Sequence, residues 1–173
     1  MSRSKYKITK KQIKQEILKC GKDPVYFINN YAKIVHPIKG LVPFKTYPFQ
    51  AQLLKDYNNH RHNVILKARQ LGISTITAAY ILWLLMFYRN KNVLVLATKF
   101  QTAALLVRKV KSMMQNLPTW MQISKVIVDN RASFELDNGS QIKASTTSAD
   151  AGRGDALSLL VIDEAAHIEN MDE

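Results

Sequence analysis

The sequence predicts an α/β domain with a mainly parallel sheet, an inserted β-hairpin and an N-terminal helical arm. Three observations carry this expectation. The short apolar runs at 64–66, 93–97 and 159–162 read as fully buried strands. The first two are each followed by apolar residues at helical spacing, the alternation of a parallel α/β sheet. Between them and the last run, Asp137-Asn138-Gly139 lies between β-type segments as a hairpin turn. An apolar content of 47% over 173 residues, with 22% charged, supplies a core and excludes a disordered chain. Six glycines and five prolines exclude a collagen-like or proline-rich chain. Cys20 is the single cysteine, so an intrachain disulfide and a Cys-rich metal cluster are excluded and a reducing compartment fits best.

Charge is uneven. Lys+Arg number 25 against Asp+Glu 13, a net of +12, and Arg3, Lys5, Lys7, Lys10, Lys11, Lys14, Lys19 and Lys22 load the first segment. Such an arm either attracts a polyanion by counterion release or is a solvated helix face; the residues leave both open. No apolar core of a signal peptide follows it. The longest apolar stretch, 76–88, stops at Arg89, short of the ~20 residues that span a bilayer.

Along the chain, Ile8, Ile13, Ile17 and Leu18 mark a lysine-rich helix ending near Gly21 as its cap. Asp23 caps a second helix that starts at Pro24, with Phe27, Ile28, Tyr31 and Ile34 as its stripe. Residues 36–48, with three prolines and Gly40, read as a rigid linker. This divides the chain into a basic helical arm and linker, 1–45, and a catalytic-type domain, 46–173. Residues 49–57 are helical with Leu53 and Leu54 inward. The strand 64–66 runs into a Gly72 loop and a helix at 74–88, and the strand 93–97 leads to a helix at 102–115. On that helix Ala103, Leu106, Val107, Val110 and Met114 point inward, while Arg108 and Lys109 read as a solvated face or as groups offered to a neighbouring subunit. A polar loop, 145–155, precedes the last strand.

Chemistry concentrates at two places. Lys67-Ala68-Arg69-Gln70-Leu71-Gly72-Ile73-Ser74-Thr75 keeps the glycine and the hydroxyl of a phosphate-binding loop but has Ile73 where the loop lysine belongs. A cation is still required by the phosphoryl group, and Lys67 or Arg69 can lean into the loop. Leu159-Leu160-Val161-Ile162 followed by Asp163-Glu164 has the form of a Walker B strand, in which the aspartate holds magnesium and the glutamate deprotonates water. Capping of a following helix is the plainer use of such acids. Tyr47-Pro48-Phe49-Gln50 either stacks on and hydrogen-bonds an adenine or starts a helix with a buried Phe49. His36, His60, His62 and His167 show no metal spacing with the cysteine.

Asp23-Pro24 with Tyr26-Phe27, His36-Pro37, Val42-Pro43-Phe44, Tyr47-Pro48-Phe49-Gln50, Ala68-Arg69-Gln70-Leu71-Gly72, Asp137-Asn138-Gly139-Ser140, Ser148-Ala149-Asp150-Ala151 with Arg153-Gly154, and Val161-Ile162-Asp163-Glu164 stand in one order. Together they resemble the ATPase domain of the large terminase subunit of tailed bacteriophages, the T4-like branch especially. The resemblance implies a RecA-like P-loop core that uses ATP and Mg2+ to package double-stranded DNA into a procapsid. It implies that Tyr47, Phe49 and Gln50 meet the adenine, and that Lys67, Arg69, Gln70, Leu71, Gly72, Ile73, Ser74 and Thr75 form the phosphate loop. It further implies that Ser74 and Asp163 hold magnesium and that Glu164 activates water with Lys67 or Arg69 assisting. Double-stranded DNA, a portal protein, a small terminase subunit and a ring of like subunits are its implied partners, in the host cytoplasm and away from membranes. Large terminases continue into a coupling motif and a nuclease domain; neither is encoded here, so weak or no ATPase activity is expected of the chain alone. The readings weighed against this one are a superfamily 2 helicase-type ATPase, suggested by Asp163-Glu164-Ala165-Ala166-His167, and a non-catalytic DNA-binding or assembly module with a degenerate loop, suggested by Ile73.

Overall fold

The computed structural model describes residues 9–147 and 156–167. Helix α1 (Lys10–Lys22) opens with a capping box in which Thr9 and Gln12 satisfy each other's backbone. Helix α2 (Pro24–Tyr31) starts as the sequence predicts, with Asp23 Oδ1 accepting from the amides of Val25 and Tyr26. Next come strands β1 (Lys33–His36) and β2 (Gly40–Pro43), then helix α3 (Pro48–Asn59) and helix α4 (Ile73–Phe87). Strand β3 (Asn92–Ala97), helix α5 (Phe100–Gln115), strands β4 (Val126–Asn130), β5 (Ser133–Leu136), β6 (Gln141–Thr146) and β7 (Leu159–Asp163) complete the main elements.

The five-stranded sheet has the order β4-β5-β6-β3-β7. Strand β3 is an interior strand, buried from Val93 to Ala97 and paired in parallel with β6 on one side and β7 on the other. Its last pairing, Ala97 with Asp163, places the acidic end of β7 at the same sheet edge as the end of β3. Helix α4 is apolar all round and correspondingly buried all round, with Ile76, Ala78, Ala79, Ile81, Leu82 and Leu85 fully enclosed. Phe27 of α2 meets Phe87 of α4 edge-on at 5.3 Å, and Cys20 of α1 joins the same core. The hairpin turn holds the other end of α4: Asn138 Nδ2 donates to the carbonyls of Leu85 and Tyr88, and Ser140 Oγ donates to that of Tyr88, so the Leu85 carbonyl in the last turn and the carbonyl of the C-cap Tyr88 are satisfied.

Four expectations are corrected. The sheet is mixed, because β4, β5 and β6 form an antiparallel meander beside the parallel β6-β3-β7 set. Val64-Ile65-Leu66 is not a buried strand; Val64 and Leu66 are 101% and 102% exposed. A three-residue apolar run becomes a strand only where a sheet edge takes its backbone groups, and among the described residues the sheet ends at β7. Residues 33–43 are a hairpin in place of the expected linker, since Ile34 pairs with Val42 and the φ of +66° at Gly40 lets the chain reverse. Gly21 lies inside α1 and does not cap it. A Cβ there would stand 3.1 Å from Phe87 Cδ1, so the glycine permits the helix to approach α4.

The Cys20 thiol is fully buried, and burial is the largest cause pushing its pKa up from about 9 to about 12; Glu16 and Asp23 add to the rise and Lys19 opposes it. A raised pKa in an acid means stability that is fully present below the unfolded value, near 9, and is lost as pH climbs toward 12. Alkylation by iodoacetamide at pH 8 is expected to be at least about a hundredfold slower in the native chain than in guanidinium, because the thiolate is the reactive form. Comparable rates would contradict this burial.

Candidate nucleotide-binding site

The site lies where the start of α4 meets the end of β7. Gln70 and Gly72 both have left-handed backbones, with φ of +64° and +73°, and this curls the chain before the helix. The carbonyl of Gly72 then accepts from the amides of Thr75 and Ile76. The amides of Ile73 and Ser74 head the helix and have no intrahelical acceptor, the arrangement that receives phosphate oxygens.

Ser74 Oγ donates to Asp163 Oδ2 at 2.9 Å, joining residues 89 apart in sequence. Asp163 Oδ1 accepts from the Glu164 amide at 3.1 Å. Glu164 has φ +59°, a left-handed conformation that costs a non-glycine residue on the order of 1–3 kcal/mol, and its side chain is exposed. The hydroxyl and the carboxylate are hard oxygen donors already in contact, a pairing that suits a magnesium ion taking one or two protein ligands and the rest from water and phosphate.

Gln50 is buried at the start of α3 and joins two parts of the site. Its Oε1 accepts from the Tyr47 amide at 3.1 Å, and its Nε2 donates to the carbonyl of Leu71 at 3.0 Å. A Cβ at position 72 would stand 2.9 Å from that Nε2, so a side chain there would have to displace the Gln50 amide, and the φ of +73° favours glycine in any case. Tyr47 and Phe49 are exposed and stack on each other, 5.8 Å between centroids and 6° between planes. Phe49 is therefore not the buried helix-start residue of the plainer reading; 45% of it faces solvent.

Lys67 and Arg69 are exposed and make no hydrogen bond or ion pair among the described residues, so neither is drawn to the Ser74–Asp163 pair. The Ser148–Gly154 segment, with Arg153, lies outside the described residues. Lys109 corrects its expected place on a solvated face. It is only partly exposed, and its Nζ donates to Thr75 Oγ1 at 3.2 Å in the first turn of α4. Burial pushes its pKa down and the charge of Asp163 pushes it back up. The available signal was its place three residues after Leu106, on the flank of the inward stripe of α5. Tyr57 also borders the site: its hydroxyl hydrogen-bonds Thr77 at 2.9 Å, and its pKa is raised by burial against the effect of that bond, with Asp163 adding to the rise. A cavity of about 410 Å3 opens elsewhere, between α5 and β4, lined in part by Lys111, Ser124, Asp129 and Phe134.

The family described as terminase large subunit, T4likevirus-type, N-terminal, matches residues 64–173, more than half of the chain. Among solved structures, the large terminase of bacteriophage HK97 is similar in fold at a TM-score of 0.67 and 20% identity, over 86% of this chain and 32% of that one. The chain thus spans about a third of the length of that terminase.

Proposed function

Because the chain belongs to the T4-like large terminase subunit family and corresponds to its N-terminal part, we propose that it is an ATP-hydrolysing motor module that drives packaging of double-stranded DNA. The observation that carries this reading is the contact of Ser74 with Asp163 at the head of a glycine-led helix. In this reading the Tyr47–Phe49 pair stacks on the adenine beside Gln50, and the amides of Ile73 and Ser74 take phosphate oxygens. Ser74 and Asp163 hold a magnesium ion, which when bound neutralises charge on the outer phosphates. Glu164, exposed beside Asp163, accepts the proton of the attacking water. The bond from the bridging oxygen to the γ-phosphorus breaks, and ADP and inorganic phosphate leave. Lys67 or Arg69 supplies countercharge from the segment before the loop. A portal protein, a small terminase subunit and a ring of like subunits are the partners proposed for the assembled motor. Among the described residues no helix is long and apolar enough to cross a membrane.

Titration of the chain with a fluorescent ATP analogue and magnesium tests this. The parent and Glu164→Gln are expected to bind alike, since that acid acts on water. Lys67→Ala or Arg69→Ala is expected to weaken binding about tenfold, as loss of a charge-assisted hydrogen bond does. A folded parent that does not bind would overturn the nucleotide reading.

A further inference from the structure

The outer phosphates of a bound triphosphate carry more charge than the one cation, Lys67 or Arg69, assigned to them above. Position 73, where the loop cation belongs, is an isoleucine, and Lys67 and Arg69 point to solvent without a partner among the described residues. One further cation stands at the loop, and the chain itself provides it. We infer that Lys109, reaching from α5 to Thr75 in the first turn of α4, supplies in the same chain the countercharge to the outer phosphates that the loop lacks at Ile73. This rests on the nucleotide reading above and adds a residue to it.

The argument is one of charge and placement. Lys109 brings its ammonium out of water to a neutral hydroxyl, 3.2 Å from Thr75 Oγ1, and makes no ion pair within 4.0 Å among the described residues. Lysines ordinarily lay their stems on apolar surface and keep the charge in solvent. A half-buried ammonium whose close partner is a hydroxyl has donors to spare, and the neighbouring carboxylate, Asp163, is itself engaged by Ser74 and the Glu164 amide. An anion at the head of α4 would meet this ammonium together with the amides of Ile73 and Ser74. The next basic residue on α5 behaves otherwise: Lys111 is paired with Asp129 at the separate cavity, which makes it the natural control.

The test compares fluorescent ADP and ATP analogues, each with magnesium, on the parent, Lys109→Met, Lys109→Arg and Lys111→Met. Lys109→Met is expected to lower ATP affinity about tenfold, the loss typical of one charge-assisted hydrogen bond, with a smaller loss for ADP. The arginine variant is expected to recover part of the preference and Lys111→Met to keep all of it. Since a merely structural lysine would not set the ATP-to-ADP ratio, an unchanged ratio in a binding-competent Lys109→Met overturns the inference and leaves the nucleotide reading standing. Amine-reactive footprinting of the unaltered chain needs no folded variant. The expected result is several-fold protection of Lys109 relative to Lys111 on adding ATP and magnesium; equal labelling with bound nucleotide overturns the inference. A parent that binds neither nucleotide overturns the nucleotide reading and this inference together.

Discussion

Asp163→Ala is expected to weaken magnesium-dependent ATP binding by at least about tenfold while leaving metal-free binding unchanged or slightly tighter. On the proposed reading the carboxylate has two opposed effects on a bound triphosphate. With magnesium present it helps hold the cation that joins protein to phosphate, and charge-assisted contacts of this kind are worth about 1.5–3 kcal/mol, or tenfold and more in affinity. Without magnesium it is a negative charge beside other negative charges, and its removal relieves repulsion. Ser74 is its partner at 2.9 Å, so Ser74→Ala is expected to move binding in the same direction by less, a neutral hydroxyl being the weaker metal ligand. Parallel titrations in magnesium and in chelator read both effects. Equal loss in the two conditions would show that Asp163 supports the loop only structurally.

The largest effect on stability is expected at Trp83. Its side chain is 1% exposed in the middle of α4, against Tyr80 and Tyr88, and its Nε1 donates to the carbonyl of Cys20 at 2.9 Å. Trp83→Ala removes this packing, leaves a cavity and strands a buried carbonyl. Large-to-small changes of this type cost about 3–5 kcal/mol. A domain of this size holds about 5–15 kcal/mol in total, so the melting temperature should fall by on the order of 10 °C. Trp83→Phe keeps most of the apolar volume but not the hydrogen bond, and an intermediate loss is expected. Urea unfolding measures both, and a loss below about 1 kcal/mol for the alanine variant would contradict the placement of Trp83 as the link between α1 and α4.

The parts of the fold legible in the sequence are those whose signal is local and long enough. The apolar run of β3, the all-round apolar helix α4, the Asp23-Pro24 start of α2 and the Asp137-Asn138-Gly139 turn each stand where the residues put them. Val64-Ile65-Leu66 reads the same way in sequence but stays outside the sheet, because strand character there depends on a neighbouring edge that the three residues do not encode. The hairpin of β1 and β2 was hidden by its prolines, which suggest a linker although they fall at the turn and at the strand end. In the site, the types of Ser74, Asp163 and Glu164 were legible, and the left-handed backbone of Glu164 was not. The place of Lys109 against α4 is not legible, because periodicity sets a residue on a flank without saying which element covers that flank.

The central claim is that Ser74 and Asp163 together hold magnesium and nucleotide at the head of α4. Its most direct test is a crystal structure of the chain with magnesium and a non-hydrolysable ATP analogue. The account predicts a metal ion between Ser74 Oγ and Asp163, replacing their direct hydrogen bond, with phosphate oxygens on the amides of Ile73 and Ser74. A nucleotide bound elsewhere, with the Ser74–Asp163 hydrogen bond intact, would contradict it.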